Sequence, residues 1–283
     1  MQIEESTRQL AAAGMNGELI EKWSGLEGRI QIFPAAAVAY SGGVDSSFLA
    51  WAAYQVLGEK MIAVTVGSKA EAIGQLAAAA RFAEQHGIEQ LTIAYDHLQN
   101  PDYRSNPADR CYHCKSAILT LVWEYAREHD IPAVFEGQNA DDQGDYRPGR
   151  KAVAETGTLS PLADSGLTKA EIRELARAFG LSIWDQPSSP CLASRIPYGT
   201  PITEKSLRQI ALGEDYLHRQ GYKICRVRYH NQLARIEVPP EQIARLVSQR
   251  EELVRAFKEI GFLYVSVDLQ GYRLGSLNEG LAR

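Results

Sequence analysis

A doubly wound parallel α/β domain followed by a smaller α+β domain is the fold class that this 283-residue sequence predicts. Three observations predict it. Short, continuously apolar runs alternate with helical segments from residue 35 to residue 179, as strands covered on both faces do. Beyond residue 201 the order changes to helix, strand, strand, helix, strand, which is an α+β order. Hydrophobic residues make up 45% and charged residues 23%, the proportions of a globular chain with room for one large or two moderate domains.

The elements follow in order. Residues 6–28 read as one solvent-facing helix, with Leu10, Met15, Leu19, Ile20 and Trp23 at helical spacing, inside an N-terminal helical segment 1–33. Residues 35–40 (AAAVAY) form the first strand, ending in Ser41-Gly42-Gly43, and Val44 to Leu57 is helical. Lys60 to Val66 is the second strand, Ala70 to His86 an alanine-rich helix closed by Gly87, and Gln90 to Tyr95 the third strand. Cys111 to His129 is a helix, and 133–136 (AVFE) the fourth strand. Thr168 to Phe179 is a helix with Thr168 as N-cap, Glu171 completing a capping box and Gly180 as the stop. These elements occupy a domain over 34–185, whose ligands belong at the carboxyl ends of the strands. Four prolines in 186–201 mark an active-site loop and linker. A helix (203–220), strands (223–229 and 232–238), a helix (240–258) and a strand (261–269) fill a C-terminal domain, 202–283.

Composition narrows the function. Thirty basic against 35 acidic residues leave a net charge of −5, without the clustered basic face of a general nucleic-acid binder. No run approaches the roughly 18 apolar residues of a spanning helix, and the start MQIEES has no secretory character. A cytoplasmic location is therefore expected, with no membrane and no nucleic-acid partner. Four cysteines there point to reactive or metal-binding thiols rather than disulfides.

The strongest motif is Ser41-Gly42-Gly43-Val44-Asp45-Ser46, set between an apolar strand and a helix. Glycines turn the chain and bare its amides, the helix N-terminus adds partial positive charge, and phosphate oxygens bind such a turn. The serine hydroxyls add donors, and Asp45 is suited to hold a Mg2+ ion bridging phosphates. The hexapeptide resembles the SGGxDS pyrophosphate loop of the PP-loop ATPases, which adenylate a substrate with ATP. It is neither a Walker loop nor a dinucleotide GxGxxG. Gly137, Asn139 and Asp142, in the run EGQNADD after the fourth strand, resemble the G-x-N-x-D-D segment of the same enzymes. Thr65 and Ser68 stand at the end of the second strand, where adenine recognition is expected in that superfamily.

Cys111 and Cys114 form a CxxC at a helix start, and Cys191 lies in the segment PSSPCLASRIPYGT. Nearby Arg110, Lys115 or Arg195 and a helix N-terminus would lower a thiol pKa. Three thiolates suit a [4Fe–4S] cluster with one iron open. Zinc, with His113 as a further ligand, and a plain redox pair are the rivals. Cys225 alternates with charged residues and reads as core. From Cys191 to Arg235 eight basic residues face three acids, a local +5. Arg226 and Arg228 share a strand face suited to a substrate phosphate, with Arg195 a further candidate and Glu214 a candidate metal ligand.

Together the SGGVDS and PSSPCLASRIPYGT segments resemble the LarE family of ATP-dependent sulfur transferases, over nearly the whole chain from about Ala35. The resemblance implies an adenine nucleotide alpha hydrolase-like PP-loop domain over 34–185 and a substrate-binding, oligomer-forming C-terminal domain. It implies ATP and Mg2+, a homo-oligomer, and a small-molecule nucleotide substrate, pyridinium-3,5-biscarboxylic acid mononucleotide, thiolated on the way to a nickel-pincer nucleotide. Cys191 stands where the family's sulfur-supplying cysteine stands. The family has single-cysteine members and members with an added CxxC, and this chain is of the second kind. A [4Fe–4S] cluster on Cys111, Cys114 and Cys191, fed by a sulfide donor, is therefore expected beside the alternative in which Cys191 itself is consumed. A tRNA thiolase would carry a basic appendage or zinc ribbons, and an ammonia-using ligase such as NAD synthetase would not need Cys191.

Overall fold

The structure, a computed structural model, describes residues 2–67, 70–144, 149–187, 190–273 and 275–277, with backbone alone at 2–4, 143 and 144. Its elements are α1 (Gln2–Ala12), α2 (Gly17–Gln31), β1 (Ala36–Ala39), α3 (Val44–Leu57), β2 (Met61–Gly67), α4 (Gln75–Gln85), β3 (Gln90–Ala94), α5 (Pro101–Arg104), α6 (Arg110–Glu128) and β4 (Val134–Glu136). They continue with α7 (Gly149–Thr156), α8 (Pro161–Asp164), α9 (Lys169–Ala178), α10 (Glu204–Arg219), β5 (Arg226–His230), β6 (Leu233–Glu237), α11 (Ile243–Ser248), α12 (Arg250–Ile260) and β7 (Tyr264–Val267). The chain groups into two compact units. The first holds residues 1–67, 74–95 and 111–188, and the second holds 68–73, 96–110 and 189–283.

The first unit is built on a parallel sheet of order β3-β2-β1-β4. β1 pairs with β2 on one side (Ala36 opposite Met61) and with β4 on the other (Ala37 opposite Val134). Both faces are covered, which is why the strands are continuously apolar. Trp23 of α2, Phe48 and Trp51 of α3 and Phe179 pack on one face, with ring centroids 4.7–5.9 Å apart for Trp51–Phe179 and Trp23–Phe48. Val122 and Ala126 of α6 cover Ala37, Val64 and Val134 on the other. The chain leaves β1 towards β2 and β3, whereas β4 joins the opposite side, so the topological switch lies between β1 and β4. A ligand crevice belongs at the carboxyl ends of those two strands.

Several elements depart from the expectation. The single solvent-facing helix at 6–28 is two helices: Gly14 adopts a positive φ of 75°, and Asn16 caps α2 by accepting from the Leu19 amide at 2.7 Å. Leu10, Leu19, Trp23, Leu26 and Ile30 are all buried, so this pair joins the core rather than facing solvent. The helix expected from Ala70 starts only at Gln75, after Gly74 at φ 80°. The expected 240–258 helix is a 3-10 turn after Pro239 followed by α11 and α12, which part at Gln249, and the last strand spans only Tyr264–Val267. The capping box of Thr168 and Glu171 is present as expected.

In the second unit, β5 and β6 are antiparallel and β6 and β7 parallel. Leu217, Tyr222, Cys225, Val227, Ile236, Phe257 and Phe262 fill its core. Residues 70–73 and 96–110 grip the Cys191 loop by its backbone. The Leu192 amide donates to the Ala70 carbonyl, Gly199 to Asn106 and Ile202 to Arg104, at 2.8–2.9 Å.

Candidate functional site

Residues 41–46 follow β1 directly, on the switch side of the sheet. Gly43 is the N-cap of α3 with no side-chain cap among the described residues, so the first amides of the helix are left for a ligand. Ser41 and Ser46 hold one another, their hydroxyls 3.0 Å apart, and the Ser46 hydroxyl also accepts from the Ser41 amide. Two glycines are required here. Gly42 has φ 73°, and a Cβ on it would lie 2.6 Å from the Ala79 Cβ. A Cβ on Gly137 would lie 2.8 Å from the Ser46 nitrogen, so only glycine lets the segment after β4 close on the start of α3.

Across that contact stands a charged cluster. Lys169 Nζ is 2.6 Å from Asp45 Oδ2, and Asn139 Nδ2 donates to the same oxygen at 3.4 Å. Asp142 accepts from the Asn139 amide, and Asp141 from the Lys169 amide at 2.8 Å. Burial pushes the Asp45 carboxyl above the usual range, with the Asp142 charge adding to it, while Lys169 and Asn139 oppose the shift. Asp45 Oδ1 is buried and has no hydrogen-bond partner among the described residues. An orphaned carboxylate oxygen beside a second aspartate fits a hard cation such as Mg2+.

The structure thus gathers Ser41, Gly42, Gly43, Asp45, Ser46, Gly137, Asn139 and Asp142. Thr65 lies buried in β2, accepting from Gln90 Nε2 at 2.7 Å. Ser68 lies outside the described residues. Lys169 was not among the expected site residues. Its signal is local: a lysine at the first position of a capped helix opposes the helix dipole and so calls for a carboxylate. Lys115 and Glu136 form another such pair at the end of β4, 2.5 Å apart, with Ser160 donating to the glutamate.

Cys111 and Cys114 occupy the first turn of α6 in the first unit, the former exposed and the latter half-buried. Cys191 is exposed in the second unit, at the start of the turn 192–195. Among the described residues none of the three is in a disulfide, and no three His, Cys, Asp or Glu side chains are gathered to hold a metal ion. The basic residues expected near the thiols have acceptors of their own: Lys115 has Glu136, and Arg110 donates to Asn106. Cys225 is buried, and burial pushes its thiol up to about 12, as suits a core residue.

Arg195, 1% exposed, grips Glu214 with two bonds of 2.8 and 2.7 Å and donates to the carbonyls of Pro190 and Cys191. Glu214 also accepts from the Val227 amide, so both its oxygens are engaged inside the protein. Arg228 makes the same fork to Glu237 and donates to the Ser194 carbonyl and the Ser276 hydroxyl. Arg226 is stacked over Tyr272, its guanidinium carbon 5.2 Å from the ring centroid, and donates to the Cys225 carbonyl. Burial and the neighbouring Arg195 charge lower its pKa, with the Glu214 charge opposing the shift.

The asparagine synthase family model matches residues 33–179. The pyridinium-3,5-bisthiocarboxylic acid mononucleotide synthase of Lactiplantibacillus plantarum is 34% identical over 87% of this chain and 90% of its own length. An uncharacterised protein of Synechocystis is 43% identical over 88% of this chain and 93% of its own. One of Methanocaldococcus jannaschii is 29% identical over 83% and 90%.

Proposed function

We propose, from the premise that this chain belongs to the LarE family of PP-loop, ATP-dependent sulfur transferases, that it thiolates the carboxylates of pyridinium-3,5-biscarboxylic acid mononucleotide. The observation that carries the reading is an exposed thiol, Cys191, on a loop anchored through its own backbone by Arg195, in a chain with a bare-amide phosphate loop.

ATP lies with its phosphates on the amides of 42–46 and the hydroxyls of Ser41 and Ser46, and with its adenine towards the end of β2. A substrate carboxylate oxygen attacks the α-phosphorus, and the bond to the β-phosphate bridge breaks to release pyrophosphate. The fixed amides of α3 stabilise the developing charge. Asp45 and Asp142 would hold Mg2+, which neutralises the pyrophosphate when bound. Arg226 is the cation offered to the substrate phosphate, while Arg195 and Arg228 are held in their forks to Glu214 and Glu237, and Glu214 orients Arg195 rather than ligating a metal. The Cys191 thiolate then attacks the acyl carbon, AMP leaves, and a thioester forms.

For the sulfur source, the donor set fits a [4Fe–4S] cluster in its chemistry: three cysteines outside any disulfide, two of them exposed. Cys111, Cys114 and Cys191 would hold it, and when bound it supplies an iron open to sulfide from a donor. A second reading takes the sulfur from Cys191 itself, which is exposed. In it the Cys191 Cα proton is lost, the Cβ–S bond breaks, and the thiocarboxylate leaves dehydroalanine behind. Anaerobic purification with iron and sulfide analysis, followed by mass measurement after turnover, separates the two. About four irons per chain and repeated turnover with sulfide support the cluster. Iron-free protein that loses the mass of hydrogen sulfide at Cys191, and stays active without Cys111 and Cys114, supports the sacrificial route. Cys191→Ala with undiminished thiocarboxylate formation overturns both.

No helix among the described residues is long and apolar enough to cross a membrane. A cytoplasmic location and a homo-oligomer belong to the same proposal. Exposed Leu263, Tyr264 and Leu269, at and beside the edge strand β7, support the latter.

A further inference from the structure

The amides of the 41–46 turn serve a ligand only when they face it, and the carbonyls behind them set their direction. A trans peptide is planar, so its C=O and N–H point opposite ways. No peptide bond among the described residues is cis. Whatever holds the Ser41 carbonyl therefore aims the Gly42 amide, and whatever holds the Gly42 carbonyl aims the Gly43 amide. Inside the motif, the Ser46 hydroxyl donates to the Gly43 carbonyl at 3.2 Å. The two carbonyls before it are held from outside the motif.

Two glutamines hold them. Gln75, the first residue of α4, donates through Nε2 to the Ser41 carbonyl at 3.2 Å. Gln186, just beyond the turn 182–185, brings its Nε2 to 3.5 Å from the Gly42 carbonyl. Each is itself set in place. Gly74, at φ 80°, turns the chain into α4 immediately before Gln75, and α4 lies close enough that a Cβ on Gly42 would meet that of Ala79. Arg173 of α9 donates to the carbonyls of Trp184 and Gln186, and the Gln186 amide donates to the Ile183 carbonyl at 3.1 Å. Beside the Ala79 contact the turn borders a cavity of about 370 Å³, lined by Gly42, Ala78, Phe82, Ile183 and Gln186 among others. Hydrogen bonds, not packed side chains, thus fix the direction of the carbonyls there.

We propose that Gln75, seconded by Gln186, is a positioning residue for the phosphates of ATP. The glutamines hold back the Ser41 and Gly42 carbonyls and so present the Gly42 and Gly43 amides on the opposite side, to the pyrophosphate that leaves. A neutral donor suits this task, since a cation in its place would draw phosphate to the wrong side of the turn. The Gly43 amide meanwhile rests on the Ser41 hydroxyl at 3.4 Å, a long bond that a charged phosphate oxygen displaces. The proposal rests on the reading that this turn takes the phosphates of ATP.

The test follows one amide. In full-length protein made cell-free with carbonyl-13C serine and 15N glycine, only glycines preceded by serine give an HNCO signal, namely Gly25, Gly42 and Gly166. On titration with inorganic pyrophosphate the Gly42 signal should move while that of Gly25, in α2, stays put. Gln75→Met keeps the length of the side chain and removes its donor, and should weaken pyrophosphate binding about two- to tenfold. Adding Gln186→Met should weaken it further. In substrate-dependent pyrophosphate release, the KM for ATP should rise by the same factor and the KM for the mononucleotide should not change, a split that general loosening of the fold would not give. Pyrophosphate affinity in the double variant equal to that of the unaltered protein overturns the proposal, as does an equal rise in both KM values. A Gly42 signal indifferent to pyrophosphate in the unaltered protein overturns instead the reading beneath the proposal, and the proposal with it.

Discussion

Asp45 and Lys169 each occupy a position unfavourable to their charge taken alone. Burial raises the Asp45 carboxyl, and a helix N-terminus disfavours the Lys169 ammonium, but at 2.6 Å each relieves the other. Asp45→Ala should abolish substrate-dependent pyrophosphate release in a protein that still unfolds cooperatively. Lys169→Met leaves burial and Asp142 less opposed, so the Asp45 pKa climbs further. The acid limb of pyrophosphate release should then move to higher pH, because metal binding needs the carboxylate. Measuring release from pH 5 to 9 checks both variants. Asp45 was legible because its motif is six consecutive residues, each needed for one local turn. Lys169 was not, because its partner lies 124 positions away, and only the fold brings them together. The arginines divide similarly. Arg195→Met strands the buried Glu214 and should cost about 3–5 kcal/mol in urea unfolding. Arg226→Ala should chiefly weaken substrate binding, by about 1.5–3 kcal/mol in a titration with the mononucleotide.

At the scale of elements, the α1–α2 pair shows how pattern and structure part. Apolar spacing runs on across residues 13–16, so periodicity alone reads one helix, while Gly14 and Asn16 break it. The fold also buries Glu27 of α2, 3% exposed, with the Ser6 hydroxyl on Oε1 and no partner on Oε2 among the described residues. Burial pushes this carboxyl up from 4.5 to about 7, against the opposing Ser6 bond. A folded pKa above the unfolded one means the contribution to stability is full below about pH 4.5 and is lost as pH rises through about 7. Glu27→Gln should therefore stabilise the protein by up to about 3 kcal/mol at pH 8 and leave it little changed at pH 4.5. Thermal melts at the two pH values check this. Capped helices were the most legible elements, since Thr168 and Glu171 signal a start from four consecutive residues. Short strands such as β7 were read too long, because apolar residues flank the strand at Phe262, Leu263 and Leu269.

For the whole molecule, the parallel sheet was legible from alternation, but its two-unit grouping is not contiguous along the chain. Nothing in the composition of 68–73 or 96–110 marks them as companions of residues 189–283. Their membership depends on backbone bonds such as Leu192 to Ala70 and Gly199 to Asn106, which carry no side-chain signature. Assembly is tested at the same scale. Tyr264→Ser with Leu269→Ser, at positions 61% and 87% exposed, should shift the protein to a smaller species in sedimentation without loss of helical signal. The discontinuous grouping also bears on biogenesis. A ribosome releases residues 70–73 and 96–110 long before the tail to which they bond, so these strips wait through the synthesis of the intervening stretch. The tail, for its part, is no transferable cassette. Cut out at residue 189, it would leave behind Ala70, Arg104 and Asn106, and the loop bearing its one exposed thiol would have no floor.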